Sequence, residues 1–239
     1  MVGMRKEDFT VESYVHVVKR GTRGLPIVRD DTDCFRFLLM LAHFNDSFSS
    51  QNWHRDLYEA GLHRSFGRPL HWPVQERLVN IIAFCLVDNH FHLILQELAE
   101  GNIARFMQRL GTGMAMKFNE RYSENGALFQ GAYRAKIISD DRYFRYVSAY
   151  VQLKNALDMY PGGQDSARND FDRAYDWVCS YPYSSLGDYA GSFDRPIVEK
   201  NFLSSLFAAG EYREFCKDFI YGRHIDDEIT LAHQSNFFE

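Results

Sequence analysis

Two apolar runs meet at the dipeptide Asp88-Asn89 in the segment Leu78-Val-Asn-Ile-Ile-Ala-Phe-Cys-Leu-Val-Asp-Asn-His-Phe-His-Leu-Ile-Leu-Gln96. Aspartate and asparagine favour tight turns, because their short polar side chains hydrogen-bond to the local backbone. The segment therefore predicts a β-hairpin with antiparallel strands. Side chains alternate along a strand. In the second strand one face should carry Phe91, Leu93 and Leu95, and the opposite face His90, His92, Ile94 and Gln96.

Similar patterns predict the elements that precede and follow this hairpin. The β-branched segment 14–18 predicts a strand, and the basic residues 19–24 predict a loop in which two glycines end that strand. Residues 33–44 carry apolar side chains at helical spacing, and residues 102–122 carry a longer stripe of the same kind. Residues 45–72 lack periodicity, so we expect a surface excursion there.

The remaining patterns complete the predicted fold. Residues 128–138 predict a further strand, and Ser139-Asp140-Asp141 predicts a helix start, because side-chain oxygens cap the free amide groups there. The tight turn of the hairpin requires antiparallel pairing. The predicted fold class is therefore α+β, with an antiparallel sheet and helices on one face. The chain becomes acidic after Pro161-Gly-Gly, which predicts a main domain over residues 1–160 and an acidic, mainly helical C-terminal extension over residues 161–239.

The net charge of −5 is unevenly distributed along the 239 residues. Residues 1–100 sum to −2, residues 101–154 to +5 and residues 155–239 to −8. A basic middle segment suits a localised phosphate-binding surface, since affinity for nucleic acid follows the phosphates contacted and not the global charge. Chance segregation of charge is the alternative explanation.

Targeting signals and metal-binding cysteines are not evident. The longest apolar stretch, residues 81–87, is far shorter than the roughly 20 residues that span a bilayer. Residues 1–8 contain no apolar signal core, so we expect a cytoplasmic protein. Four cysteines without C-x-x-C spacing argue against a disulfide framework and a zinc ribbon, and we expect them to be buried thiols: Cys34, Cys85, Cys179 and Cys216.

The histidine pair in the second hairpin strand is a candidate metal site. His90 and His92 are two residues apart, so both imidazoles point to the same side of the strand. Neutral imidazoles placed in this way can hold one metal ion. Two histidines do not complete a structural zinc site, which has four ligands. The alternative is a pair of partly exposed strand histidines without a ligand.

Tyr150 is a candidate nucleophile, with Tyr146 one turn earlier on the same predicted helix face. A free phenol titrates near pH ~10, so a tyrosine becomes a nucleophile only where a metal or a cation stabilises its phenolate. A helix that faces the histidine strand would provide that setting. The alternative is a tyrosine that only packs in the core, as most of the 14 tyrosines are expected to do.

Five segments, in the same order, resemble one family. Asn89-His-Phe-His-Leu-Ile-Leu95 resembles the metal-binding motif of the single-tyrosine HUH transposases of the smallest, IS200-like bacterial insertion sequences, especially the REP-associated tyrosine transposases. Val15-His-Val-Val-Lys-Arg-Gly21 is similar to the first strand and basic loop of that family. The other matching segments are Asn125-Gly-Ala-Leu-Phe-Gln-Gly-Ala-Tyr-Arg-Ala135, Tyr150-Val-Gln-Leu-Lys-Asn155 at the place of the nucleophile, and Tyr181-Pro-Tyr-Ser-Ser185.

The resemblance covers roughly residues 10–220 outside the excursion, and it implies a ferredoxin-like HUH endonuclease fold with a catalytic domain over residues 1–160. It implies that Tyr150 attacks a phosphodiester and becomes linked to the 5′ phosphate, while His90 and His92 hold Mg²⁺ or Mn²⁺. The expected partner is single-stranded or hairpin DNA, from a repetitive palindrome or an insertion-sequence end. We expect a monomer or homodimer without a membrane partner. The candidate contacts to backbone phosphates are Arg20, Arg23, Arg134 and Lys136.

Two positions depart from the family pattern. Asp88 stands where the family usually has proline, which a turn tolerates. Lys154 stands four residues after Tyr150, where the family has a polar amide as third metal ligand, and an ammonium group has no lone pair to donate. At 3.6 residues per turn, Gln152 and Asn155 lie about 200° and 140° around the helix from Tyr150. Neither is therefore expected to replace that ligand.

Lys154 leaves more than one function open. It is a possible active-site cation, which could stabilise the tyrosine phenolate or the transferring phosphate. A protein that keeps the fold and binds hairpin DNA with reduced or no cleavage is one alternative. A metal-dependent nuclease that uses water, with Tyr150 only packing, is another. Only the transposase-like strand transferase forms a covalent adduct with DNA, so trapping that adduct separates the three.

Overall fold

A computed structural model of the protein describes residues 10–223. Residues 1–8, on which the expected absence of a signal peptide rests, lie outside this range. The described chain is built on a four-stranded antiparallel sheet with the strand order β2-β3-β1-β4. The strands are β1 (Tyr14–Arg20), β2 (Val79–Val87), β3 (His90–Glu97) and β4 (Arg134–Ile137).

The predicted hairpin is confirmed. Strands β2 and β3 pair antiparallel on either side of the turn at residues 88–89, with Val87 opposite His90. Phe91, Leu93 and Leu95 belong to one hydrophobic cluster, while Ile94 belongs to another on the opposite face.

Two helices cover the first face of the sheet, α1 (Asp31–Phe44) and α3 (Asn102–Tyr122). The side chain of Asp30 caps α1 by accepting a hydrogen bond from the backbone N–H of Asp33. With these helices the chain runs β1-α1-β2-β3-α3-β4, which is the order of the ferredoxin-like fold. The predicted α+β class with an antiparallel sheet is confirmed.

Helices also cover the second face, so the prediction of helices on one face is incomplete. The reason is that β2 and β3 are apolar on both sides: Ile82, Ala83 and Ile94 are fully buried on the second face. The segments beyond β4 are α4 (Asp141–Ala149), a π-turn (Tyr150–Lys154), a 3₁₀ turn (Ala156–Met159), α5 (Gly163–Asn169), α6 (Phe171–Ser180), α7 (Leu186–Tyr189), α8 (Asn201–Ser205) and α9 (Glu211–Ile220).

Residues after 160 are joined to the sheet by backbone hydrogen bonds. The N–H of Ser185 donates to Phe84 O at 2.9 Å, and the N–H of Glu199 donates to Ile81 O at 2.8 Å. The boundary predicted after residue 160 falls between the 3₁₀ turn and α5. None of the helices between residues 10 and 223 is both long and apolar enough to span a bilayer.

Two sequence predictions need correction. The segment 45–72 is more than a surface excursion, because it contains α2 (Trp53–Glu59) and buries Leu57 completely. Asn45 is buried there as well, and its side chain hydrogen-bonds to the backbone of Leu78 and Val79. The strand predicted over 128–138 is limited to β4, because only its last residues pair with β1 in a ladder.

The four cysteines are all free thiols. Cys85 and Cys216 are buried as expected, whereas Cys34 and Cys179 are partly exposed.

Candidate active site

An open cleft of about 840 Å³ lies where β1 and β3 face the π-turn. Its wall is formed by the hairpin turn, the adjacent ends of the strands, the loop before β4 and the 3₁₀ turn. Most of the predicted site residues line it: Arg20, His90, His92, Arg134, Tyr150 and Lys154. The fold therefore brings together residues that are up to 134 positions apart in the sequence.

His90 and His92 point to the same side of β3, with ring centroids 4.9 Å apart. The Nδ1 atom of His90 lies 2.6 Å from Oδ1 of Asn89, whose own Nδ2 donates to the carbonyl of Gly24. Because Oδ1 can only accept, Nδ1 of His90 carries the proton and Nε2 keeps its lone pair. This tautomer leaves Nε2 of His90 able to bind a metal ion.

The charge state of His90 is set by its surroundings. Burial, followed by the nearby Arg20 cation, lowers the pKa of His90 to about 4. Asp158 and a hydrogen bond with the Asn155 side chain act in the opposite direction. At neutral pH the imidazole is therefore neutral, which is the form that coordinates metals.

His16 is a third histidine of this site, which the sequence analysis did not identify. It is fully buried on β1, and its Nε2 lies 2.9 Å from Nδ1 of His92. The two rings are stacked, with centroids 5.1 Å apart. The alternation of β1 could have placed His16 on the face opposite Val15 and Val17, but the pairing of β1 with β3 is not visible in the sequence.

Tyr150 lies against this histidine group. Its ring is edge-on to both His92 and His16, at centroid distances of 5.6 Å and 6.1 Å. The residue is 4% exposed. Burial, and then the neighbouring Tyr146 and Asp158, raise the pKa of the Tyr150 phenol well above its ordinary value. Without a stabilising cation this phenol is a weaker nucleophile than a free tyrosine.

The helical turn after Tyr150 is wider than an α-helix. Residues 150–154 form a π-turn, in which the backbone N–H of Asn155 donates to the carbonyl of Tyr150, five residues earlier, at 3.2 Å. A π-turn within a helix contains one extra residue per turn. It places Asn155 in the cleft, with its Nδ2 donating to Tyr150 O at 2.8 Å. The expectation that Asn155 lies away from the site is therefore wrong.

Gln152, in contrast, is directed away from the cleft as expected. Its side chain is held by the hydroxyl groups of Tyr212 and Ser185 at 2.8 Å and 2.9 Å. Of these two side-chain amides, only the one of Asn155 lines the cleft.

Lys154 also faces the cleft. Its Nζ lies 4.9 Å from the centroid of the Tyr150 ring, within range of a cation–π contact. Burial lowers the pKa of Lys154, and the nearby Asp158 opposes this shift. Asp158 lines the same cleft and is a carboxylate that the sequence analysis did not identify.

The four cations predicted to contact phosphate are not equivalent. Arg20 and Arg134 are exposed and line the cleft. Arg23 lies outside the cleft, in a 3₁₀ turn after β1. The ammonium group of Lys136 lies 4.7 Å from the centroid of the Tyr143 ring, also outside the cleft.

Part of the chain is similar to a known protein family. Residues 63–154 match the family model described as "Transposase IS200 like". The matched segment contains the histidine pair and ends just after the candidate nucleophile, at Lys154. Over this segment the chain is similar to IS200-like transposases. No curated protein matches the chain.

A solved structure of a REP-associated tyrosine transposase bound to a REP hairpin is similar to this chain. The sequence identity is 11% and the TM-score is 0.43, over 84% of this chain and 96% of that chain.

The donor atoms of this candidate site fit a hard or borderline divalent metal ion. Between residues 10 and 223 no three or more His, Cys, Asp or Glu side chains are grouped as a metal site. The cleft instead offers two imidazoles, from His90 and His92, and the amide of Asn155. Such a nitrogen and oxygen set suits Mn²⁺ or Mg²⁺, both of which complete their coordination with water or phosphate oxygens.

Proposed function

We propose that the chain is a DNA strand transferase that cleaves and rejoins single-stranded, hairpin-forming DNA through a tyrosine–5′-phosphate link. The observation that carries this proposal is the position of the Tyr150 ring, 5.6 Å from the His92 ring, in an open cleft. A tyrosine that served only for packing would not need two histidines and a lysine beside its ring.

Tyr150 performs the bond-forming step. Its hydroxyl oxygen attacks the phosphorus of a phosphodiester, a new P–O bond forms to tyrosine, and the bond from phosphorus to the 3′ oxygen breaks. The phenol loses a proton and the leaving 3′ oxygen gains one, so the products are a phosphotyrosine ester and a free 3′ hydroxyl. The reverse attack by a 3′ hydroxyl rejoins the strand without an external energy source.

The other cleft residues orient the strand and balance its charge. His90, His92 and Asn155 would hold Mn²⁺ or Mg²⁺, which polarises the scissile phosphate when bound. Lys154 lies over the Tyr150 ring, where its positive charge stabilises the phenolate or the transferring phosphate. Arg20 and Arg134, which are exposed in the cleft, contact backbone phosphates.

One observation favours a second candidate function. Lys154 adds a positive charge beside the three metal-binding side chains, and this charge repels a divalent cation. A protein that binds hairpin DNA but cleaves it slowly, or not at all, would tolerate such a residue. The two functions share the DNA-binding cleft and differ only in the chemical step.

The histidine pair provides the test. The substrate is a pool of single-stranded oligonucleotides, each with a hairpin and random flanks, incubated with Mn²⁺. His90→Ala and His92→Ala should each abolish nicking, as should a chelator with the unaltered protein. His71→Ala is the matched control, because His71 is exposed and lies outside the cleft. If a variant that carries both His90→Ala and His92→Ala still nicks the DNA, these histidines are not metal ligands.

A further inference from the structure

A second groove, of about 500 Å³, lies on the side of the sheet opposite Tyr150. Its walls are α1, α3 and residues 49–55, which belong to the segment that the sequence analysis treated as a surface excursion. The cleft around Tyr150 does not use any residue of this groove.

Arg36 is a largely buried cation of the groove. Its side chain is 13% exposed, and neither Nε nor Nη1 has a hydrogen-bond partner. The nearest carboxylate, Asp33, is 3.8 Å away and is already bound by Arg121 at 2.6 Å. Both nitrogens are shielded from solvent, so the guanidinium acts on the groove as a nearby positive charge that attracts an anion.

Other cations surround Arg36. Lys117 on α3 is one-third exposed and pairs with Glu120, and Arg55 on α2 also lines the groove. Burial lowers the pKa of His54, and the nearby Arg36 and Lys117 lower it further. The groove is therefore a region of positive potential, which attracts phosphate groups.

The floor of the groove is apolar and aromatic. Phe44 and Trp53 meet edge to face, with ring centroids 5.1 Å apart, and Met116 beside them is 69% exposed. Gly113 makes this floor possible, because a Cβ atom there would lie 2.5 Å from the Phe44 ring. An aromatic surface next to phosphate-binding cations is the combination that holds a base and its phosphate together.

We propose that this groove binds a nucleotide unit, with the phosphate at Arg36 and Lys117 and the base against Trp53. The strand that provides the unit would be part of the single-stranded DNA of the proposed function, held away from the cleavage site. A free nucleotide presents the same chemistry, so the experiment below compares the two sources.

The test is fluorescence anisotropy with a labelled oligothymidylate of about ten nucleotides, a length within the range that one binding site covers. Lys117→Ala and Arg36→Gln should each weaken binding about tenfold, because each removes a positive charge that attracts the phosphate. The slope of log affinity against log salt should become shallower by about 0.7 for each lost phosphate contact. Trp53→Ala should weaken binding without changing the salt slope.

Arg173→Ala is the matched control, because it removes one exposed positive charge on α6, outside the groove. It should bind like the unaltered protein. If thymidine 5′-monophosphate displaces the labelled oligonucleotide at concentrations similar to that of the oligonucleotide itself, the ligand is a free nucleotide. If its displacement is much weaker, the ligand is a strand. Equal binding by all variants, or equal losses in the groove and control variants, overturns the proposal.

The proposal of a nucleotide groove rests on the proposed function, but the two can be refuted independently. If the protein forms the covalent adduct but Lys117→Ala and Arg36→Gln bind the oligonucleotide normally, only the groove proposal is refuted. Groove-dependent binding without any adduct refutes only the strand-transfer reaction.

Discussion

The Nε2 atom of His16 lies 2.9 Å from the Nδ1 atom of His92, in a buried pair that joins β1 to β3. When Nδ1 of His92 donates this hydrogen bond, Nε2 of His92 keeps the lone pair needed for a metal ion. His16 is therefore a positioning residue, which fixes the tautomer and the ring orientation of a ligand.

Replacing His16 tests this role. His16→Phe should lower Mn²⁺ affinity by about tenfold or more, the usual effect of removing such a partner. His16→Gln should recover part of the loss, because a glutamine oxygen can accept the same hydrogen bond. Calorimetric titration with Mn²⁺ measures both. A phenylalanine variant that binds Mn²⁺ like the unaltered protein would show that the contact is only structural.

Asn155 and Lys154 should have opposite effects on metal affinity. Asn155→Ala removes a ligand and should weaken Mn²⁺ binding roughly tenfold, whereas Lys154→Asn removes a repelling charge and should strengthen it. The cleavage rate of Lys154→Asn should fall, because a cation beside the Tyr150 phenolate is lost. Mn²⁺ titration followed by single-turnover nicking separates affinity from rate. Unchanged affinity in both variants would place neither side chain at the metal.

The cleft predicts which cations matter for DNA binding. Arg20→Ala and Arg134→Ala should each weaken hairpin binding about tenfold and reduce its salt dependence, because each removes a phosphate contact. Lys136→Ala is the matched control, since its ammonium group lies over Tyr143 outside the cleft, and its loss should be much smaller. Binding isotherms at several salt concentrations give both quantities. If Lys136→Ala loses more affinity for the hairpin than Arg20→Ala and Arg134→Ala do, the DNA does not bind along the cleft.

His43 should make the fold sensitive to acid. Burial, followed by the nearby Arg68 cation, lowers the pKa of His43 to about 4, while Asp46 opposes the shift. The unfolded chain takes up this proton near its ordinary pKa of about 6.5, so stability is complete above that pH and is lost as the pH falls toward 4. Urea unfolding should give a free energy up to about 2 kcal/mol lower at pH 5 than at pH 7.

His43→Gln cannot titrate and should lose less stability over the same interval. The histidine packs edge-on against Trp72, with ring centroids 5.7 Å apart, so near-ultraviolet circular dichroism checks that the packing survives. An identical pH dependence in both proteins would assign the acid sensitivity to other groups.

The elements with strong periodicity could be predicted from the sequence. The alternation of β3 placed Phe91 and Leu93 in the core and the two histidines together on the other face. The apolar stripe of α3 and the Asp140 cap of α4 could also be predicted, because both depend on local sequence patterns.

Three features could not be predicted, because they depend on contacts rather than on local pattern. The π-turn differs from an α-helix by one residue and leaves no mark on hydrophobic spacing, so Asn155 was placed on the wrong side. The pairing of His16 with His92 depends on the strand order. The segment around Asn45 folds through hydrogen bonds from a buried polar side chain, which periodicity cannot detect.

Tyr150 is the proposed nucleophile, and Tyr146, one turn earlier, is its competitor. The Tyr146 ring packs against Phe219, with centroids 5.2 Å apart, and does not line the cleft. The most direct measurement is denaturing electrophoresis of the protein after incubation with labelled hairpin DNA and Mn²⁺, followed by mass spectrometry of the adduct. We predict a covalent adduct on Tyr150 that is absent from Tyr150→Phe and retained in Tyr146→Phe, with DNA binding intact in both. An adduct on Tyr146, or cleavage by Tyr150→Phe, would contradict the mechanism.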